Sequence, residues 1–235
     1  EISACLVGSE MCIRDSLMLE RQYEEAALQF REAEKISGKH YRREFNPIPV
    51  VSRFFMGTAL LRQDRNEEAR SVAQEMKAIV ARQNLEPLFL DYAHFLAGEI
   101  AITRNNPKEA LVALRQATGF TPLFSPFYRS IQASAEELDG RYGQAVKTRQ
   151  SFLTDVGMAM GWRGNYEAVR YYYERSMVDY RLGRINEKMG DMAKAKEHYK
   201  LFLDLMKNAD PGVSEVDEAR KKMAATSGDA KGGRS

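Results

Sequence analysis

Three histidines, two cysteines and a few adjacent carboxylates are what this chain offers to chemistry, and their spacing argues against most of it. His40, His94 and His198 fall in separate segments, and no two have the four-residue separation that sets a pair of imidazoles on one helix face around a metal ion. They read as surface or helix-packing residues. Glu24-Glu25, Glu67-Glu68 and Glu136-Glu137 look like carboxylate pairs. Neighbours in sequence point about 100° apart on a helix, so these acids belong to solvated faces or first helical turns. No glycine-rich phosphate loop and no nucleophile elbow is present. The expectation is therefore no catalytic residue, no cofactor and no metal: a protein that is not an enzyme.

Two aromatic features invite a functional reading and receive a plainer one. Trp162 lies between Gly161 and Gly164 and reads as a loop tryptophan. Tyr171, Tyr172, Tyr173 and Tyr180 could stack on nucleic-acid bases, but no basic stripe accompanies them, so packing between helices is expected. The net charge of +2 is small and mixed in sign, which argues against nucleic acid as a partner. The richest apolar patch, residues 87–97, is interrupted by Asp91 and His94. Nothing approaches a membrane-spanning stretch.

Both cysteines, Cys5 and Cys12, lie in a start that looks foreign. Met11-Cys12-Ile13-Arg14-Asp15-Ser16 resembles the in-frame translation of a transposon-end adapter from sequencing-library preparation, and Val7-Gly8-Ser9-Glu10 fits the same origin. Residues 1–16 are expected to be non-native, with the natural N-terminus, any signal or anchor, and any upstream domain missing. Without them the net charge is +4 and no cysteine remains for a disulfide or thiolate site. The cytoplasm is the default compartment.

The elements that position these residues are helices. Hydrophobic residues make up 44% of the chain and charged residues 29%, enough apolar surface for a packed structure. Good helix formers dominate, and no alternating run reads as a strand. A skeleton recurs along the chain. Gly57 precedes Ala69, Ala73 and Met76. Gly98 precedes Ala110, Leu114 and Ala117, and Gly183 precedes Ala195, Tyr199 and Phe202. Ala133 stands in the glycine position ahead of Ala145, Arg149 and Phe152. Ala26, Phe30 and Ala33 repeat the second half alone. Glycine inside a helix costs about 1 kcal/mol against alanine, so its recurrence at matched offsets points to close packing.

This skeleton resembles the tetratricopeptide repeat family, whose unit is two antiparallel helices, A and B. The resemblance implies an all-α fold: a right-handed α-solenoid of helix pairs over residues 17–224, closed by a C-terminal capping helix. It also implies that the small residue of helix A meets the alanine of helix B. The alanines recur at intervals of 43, 41, 35 and 50 residues against a family period of about 34, so irregular repeat lengths are expected. Read in detail, residues 17–37 form helix B of a broken first unit, ended by Ser37-Gly38. Tyr41, Phe45, Asn46, Pro47 and Pro49 belong to a linker. Helix A of the second unit covers 49–63, and Asn66 caps its partner. Asn106 caps a helix with Pro107 at its first position. Residues 157–165 are a loop, 165–189 one long helix, 192–207 the last helix B, and 214–225 the closing helix. A disordered tail covers 225–235.

The same resemblance implies a binding surface. Helix A residues line the concave groove of such arrays, and the offsets select Val51, Phe54, Thr58 and Arg62, then Tyr92, Phe95, Glu99 and Ile102. Phe127, Ser130 and Ser134 follow, then Tyr180, Arg184 and Lys188. The expected function is a protein–protein interaction scaffold that holds a peptide or partner helix. The alternative is the regulatory C-terminal region of a larger bacterial signalling protein, a Ser/Thr kinase or winged-helix regulator, to which the chain's end is similar. The Lys/Asn pattern of carboxylate-clamp members is not reproduced, so chaperone C-terminal tails are not implied.

Overall fold

The computed structural model describes residues 22–40, 48–118, 126–154, 165–209 and 213–228. Among these there are eleven helices and no strand. The chain divides into two compact units, with the boundary between Asp139 and Gly140.

The first unit holds α1 (Tyr23–His40), α2 (Ile48–Leu61), α3 (Asn66–Gln83), α4 (Pro87–Thr103), α5 (Pro107–Gln116) and α6 (Pro126–Leu138). Sequence neighbours pack against each other throughout, and α2 with α4, and α4 with α6, also pack directly. The even-numbered helices are thus the A helices, stacked side by side. α2 and α4 bury residues almost all the way round, as helices flanked on several sides must. α3 shows the contrasting pattern of an outer helix. Ala69, Val72, Ala73, Met76, Ile79 and Val80 form one apolar stripe, with Glu67 and Glu68 in the first turn and Arg82 in the last.

The second unit holds α7 (Tyr142–Thr154), α8 (Asn165–Ser176), α9 (Val178–Lys188), α10 (Met192–Leu205) and α11 (Ser214–Gly228). α9 and α10 form a hairpin, α9 also packs on α7, and α11 covers α10. The closing helix works through apolar burial: Val216 and Ala219 join Met177, Tyr180, Ala195, Tyr199 and Phe202 in one core cluster. Without it the last pair would expose that face.

Four turns between consecutive helices share one device. Asp64, Asn105, Gly140 and Gly190 have positive φ, at 58°, 55°, 73° and 79°. Each sits five residues ahead of a repeat alanine: Ala69, Ala110, Ala145 and Ala195. Gly, Asn and Asp tolerate this left-handed conformation best, which accounts for the residue types found there. Those four alanines, and Ala26, are completely buried.

Several expectations need correction. α1 does not stop at Ser37-Gly38 but continues to His40. Asn66 is the first residue of α3 and not its cap; its amide donates to the Asp64 carbonyl, and its Oδ1 accepts from Thr103 Oγ. The single helix expected over 165–189 is two, broken at Met177. Ser176 Oγ donates to the Tyr173 carbonyl at 2.8 Å, a side-chain bond that competes with the helical ladder at the break. The closing helix runs on to Gly228. The Asn106 cap is as expected: its Oδ1 accepts from the Glu109 amide at 3.2 Å, and its Nδ2 donates to the Glu109 carboxylate at 2.8 Å. The expected foreign start, the linker residues Tyr41 to Pro47, the Trp162 loop and the extreme tail lie outside the described residues.

The glycines of the A helices are buried, but their partners differ from expectation. A Cβ on Gly57 would lie 2.4 Å from Leu96 Cδ2, and one on Gly98 3.0 Å from Ile131 Cγ2. Both glycines therefore admit the next A helix; Gly98 also meets its own B helix, a Cβ there lying 3.8 Å from the Ala110 carbonyl, and Gly183 admits its own B helix through the ring of Tyr199 at 2.6 Å.

Candidate partner-binding faces

Most of the groove residues chosen from the sequence sit inside the first unit. Phe54, Tyr92, Phe95 and Phe127 are at most 2% exposed. They form one aromatic cluster across α2, α4 and α6. The Phe54 ring centre lies 4.9 Å from that of Phe127 and 5.4 Å from that of Tyr92, and the Phe95 and Phe127 rings stack at 6.1 Å. Phe55 extends the cluster to Phe30 of α1 at 5.3 Å. The physical reason is the direct stacking of A helices, which needs large side chains to fill the space between them. As anchors for a partner these aromatics are unavailable, and the choice of them is corrected.

Val51 and Ser130 are also buried. Thr58 Oγ donates to Glu99 Oε2 at 3.1 Å, a buried bond between α2 and α4 beside Gly57. Those two residues tie A helices together. Ser134 is half-buried and donates to the Ser130 carbonyl. Besides half-buried Ser134, two candidates of this unit keep access to solvent: Arg62, exposed just past the end of α2, and Ile102, half-buried on α4.

In the second unit Tyr180 is buried, and its hydroxyl donates to Glu218 Oε2 at 2.7 Å. Burial first, and that carboxylate second, push its phenol well above its usual range. Arg184 and Lys188 are exposed on α9, with the Arg184 guanidinium 5.9 Å from the centre of the Tyr180 ring. Of the histidines, His198 pairs with Asp179 at 2.8 Å. His94 is buried in α4, and His40 ends α1.

The sequence reading missed a buried ionic centre in this unit. Glu174 of α8 is completely buried between two guanidiniums, Arg149 of α7 at 3.3 Å and Arg181 of α9. Nearby, Arg175 donates to the carbonyls of Phe152 and Leu153, closing the last turn of α7. A signal was available: Arg149 stands where the other repeats place Phe30, Ala73, Leu114 and Tyr199, and a cation in a core position requires a buried anion. Among the described residues no group of three or more His, Cys, Asp or Glu side chains could hold a metal ion. No described helix is long and apolar enough to cross a membrane.

The architecture is that of an all-α protein built from antiparallel helix pairs. Residues 180–207, which span most of the α9–α10 hairpin, match the tetratricopeptide repeat family model. The chain's fold is of the same tetratricopeptide-like kind. It is similar to a variant of a putative kinesin light chain from Podosopora anserina with nearly identical TPR-like repeats, at 18% identity and a TM-score of 0.50, covering 88% of this chain and 96% of that one. A second structure of a putative kinesin light chain from Podosopora anserina aligns at 17% identity and a TM-score of 0.48, covering 87% of this chain and 96% of that one. MamA from Desulfovibrio magneticus RS-1 aligns at 18% identity and a TM-score of 0.45, covering 87% and 97%. No curated protein matches the chain significantly.

Proposed function

We propose that this chain is a protein–protein interaction scaffold that engages a peptide or partner helix through solvent-facing residues of its A helices. The observation that carries the reading is the tetratricopeptide pair α9–α10, whose A helix keeps Arg184 and Lys188 in solvent while Tyr180 is turned inward. In the first unit Arg62 and Ile102 play the corresponding part. Long charged side chains beside a half-buried apolar one suit peptide recognition, with the charges setting orientation and specificity. Nucleic acid and membrane are not part of this reading, and the compartment it assigns is the cytoplasm.

A second reading is favoured by α11, which seals the final pair and suits the end of an array. On it, the chain is the regulatory C-terminal region of a larger bacterial signalling protein. The genomic sequence ahead of residue 17 tests this: a kinase or winged-helix reading frame would support it, and an unrelated frame would overturn it.

The scaffold reading is tested by cross-linking and pull-down with the full chain and two double variants, Arg62→Glu with Ile102→Glu, and Arg184→Glu with Lys188→Glu. All four side chains have access to solvent, so the variants should keep their helical circular dichroism. Loss of the captured partner in either double variant is the expected result. Unchanged capture by both would overturn the residue assignment.

A further inference from the structure

We propose that His94 makes the packing of α4 in the first unit acid-sensitive, so that mild acid loosens the α3–α4 interface. The side chain is 7% exposed, and its Nδ1 is buried with no hydrogen-bond partner. A neutral imidazole can leave Nδ1 as a bare acceptor at modest cost. A protonated one places a cationic N–H there with nothing to receive it.

The surroundings add to this. α4 packs against α2, α3, α5 and α6. Lys77 of α3 is the charged group that acts on the ring, and among the described residues no charge from α2, α5 or α6 offsets it. Asp91, one turn earlier on α4, already has partners of its own. Burial, then Lys77, both depress proton uptake by the folded ring. The unfolded chain binds the proton near its ordinary value of about 6.5, and the folded one does not. The stability contributed by neutral His94 is present above that value and is lost as pH falls below it toward the folded value. Within that window the unfolding equilibrium rises by up to about tenfold per pH unit.

The test is hydrogen exchange of α3 and α4 in the full chain at about pH 7.5 and about pH 5.5, corrected for intrinsic rates. Wild type and His94→Gln are compared, with the imidazole signals followed by NMR. The expected result is a loss of protection in α3 and α4 of wild type at the lower pH, reduced in His94→Gln and in Lys77→Met. Equal loss in wild type and His94→Gln would overturn the proposal. If His94→Gln does not fold, the NMR titration decides. A folded His94 that titrates at or above about 6.5 overturns it, and one that titrates lower supports it.

Discussion

Gly57 is filled by Leu96: a Cβ at position 57 would lie 2.4 Å from one methyl of Leu96 and 2.9 Å from the other. The repeat glycines thus differ in what they face, and alanine at each should differ in cost. Alanine gains about 1 kcal/mol of helix propensity over glycine, and overpacking subtracts about 1–3 kcal/mol. At Gly98 the obstacle is one methyl of Ile131 at 3.0 Å, so Gly98→Ala should be near neutral. At Gly57 the obstacle is the flexible end of Leu96, so Gly57→Ala should destabilise mildly. At Gly183 it is the Tyr199 ring, which is rigid, buried and tied by its hydroxyl to Glu187 at 3.0 Å. Gly183→Ala should be the most damaging of the three. Urea midpoints of the three variants check the order, and a reversed order between positions 98 and 183 would refute it.

The repeat alanines and the pairs they mark were legible because tight burial admits one side-chain size. Ala26, Ala69, Ala110, Ala145 and Ala195 are all fully buried, and the left-handed turn residues precede four of them at a fixed offset. The glycine partners were not legible. A small residue announces a close neighbour without saying which helix supplies it, and at positions 57 and 98 the next A helix does. The groove aromatics misled for a related reason. Phe54, Phe95 and Phe127 have the composition of binding anchors, but the same large apolar rings fill gaps between stacked helices. Only the three-dimensional adjacency of α2, α4 and α6 separates the two roles.

Phe54→Ala therefore reports on stability and not on recognition. The ring is 1% exposed and touches Tyr92, Phe55 and Phe127. Truncation of a buried phenylalanine costs about 3–5 kcal/mol. Thermal unfolding should show a clear loss for this variant, whereas Arg62→Ala, at an exposed position, should change stability by less than about 0.5 kcal/mol. Similar melting of the two variants would contradict the assignment of Phe54 to the core.

The turns offer a cleaner backbone test. Gly190 has φ 79° and nothing within 4 Å of a Cβ placed on it. Any penalty of Gly190→Ala then comes from the left-handed conformation alone, about 1 kcal/mol. Asp64 holds the equivalent place with φ 58° and carries part of that strain already. Asp64→Gly should consequently be neutral or slightly stabilising, while Gly190→Ala destabilises. Chemical denaturation of both variants tests the pair, and a stabilised Gly190→Ala would show that the turn is not under this constraint.

Removing Glu174 should unsettle the second unit. Its fully buried carboxylate lies between the buried Arg149 and the partly exposed Arg181. Glu174→Ala leaves two like charges facing one another in a low-dielectric interior, and breaking such a buried arrangement costs about 3–5 kcal/mol. The triple change Glu174→Leu, Arg149→Met and Arg181→Met removes all three charges and should recover much of that loss. A triple variant no more stable than Glu174→Ala would mean that the ions fix the packing in a way apolar side chains cannot replace.

Alkaline pH should act on the second unit through two tyrosines. Tyr180 donates to Glu218, and Tyr199 donates to Glu187, which also accepts from Lys222 Nζ at 3.0 Å. Burial is the larger cause, and the adjoining carboxylate the next, of the upward shift of both phenols. Unfolded tyrosines ionise near about 10, whereas these remain protonated in the folded chain beyond that point. A raised folded value means that their contribution is complete below about pH 10 and declines as pH rises further. Urea midpoints between about pH 8 and about pH 11 should fall for wild type and fall less for a Tyr180→Phe, Tyr199→Phe double variant. That variant gives up two hydrogen bonds and should start lower at neutral pH. Ultraviolet absorbance of phenolate, followed in parallel, should show these two groups ionising only with unfolding. Their titration in the folded state near the ordinary value would exclude the carboxylate-facing, buried geometry from which the slope is argued.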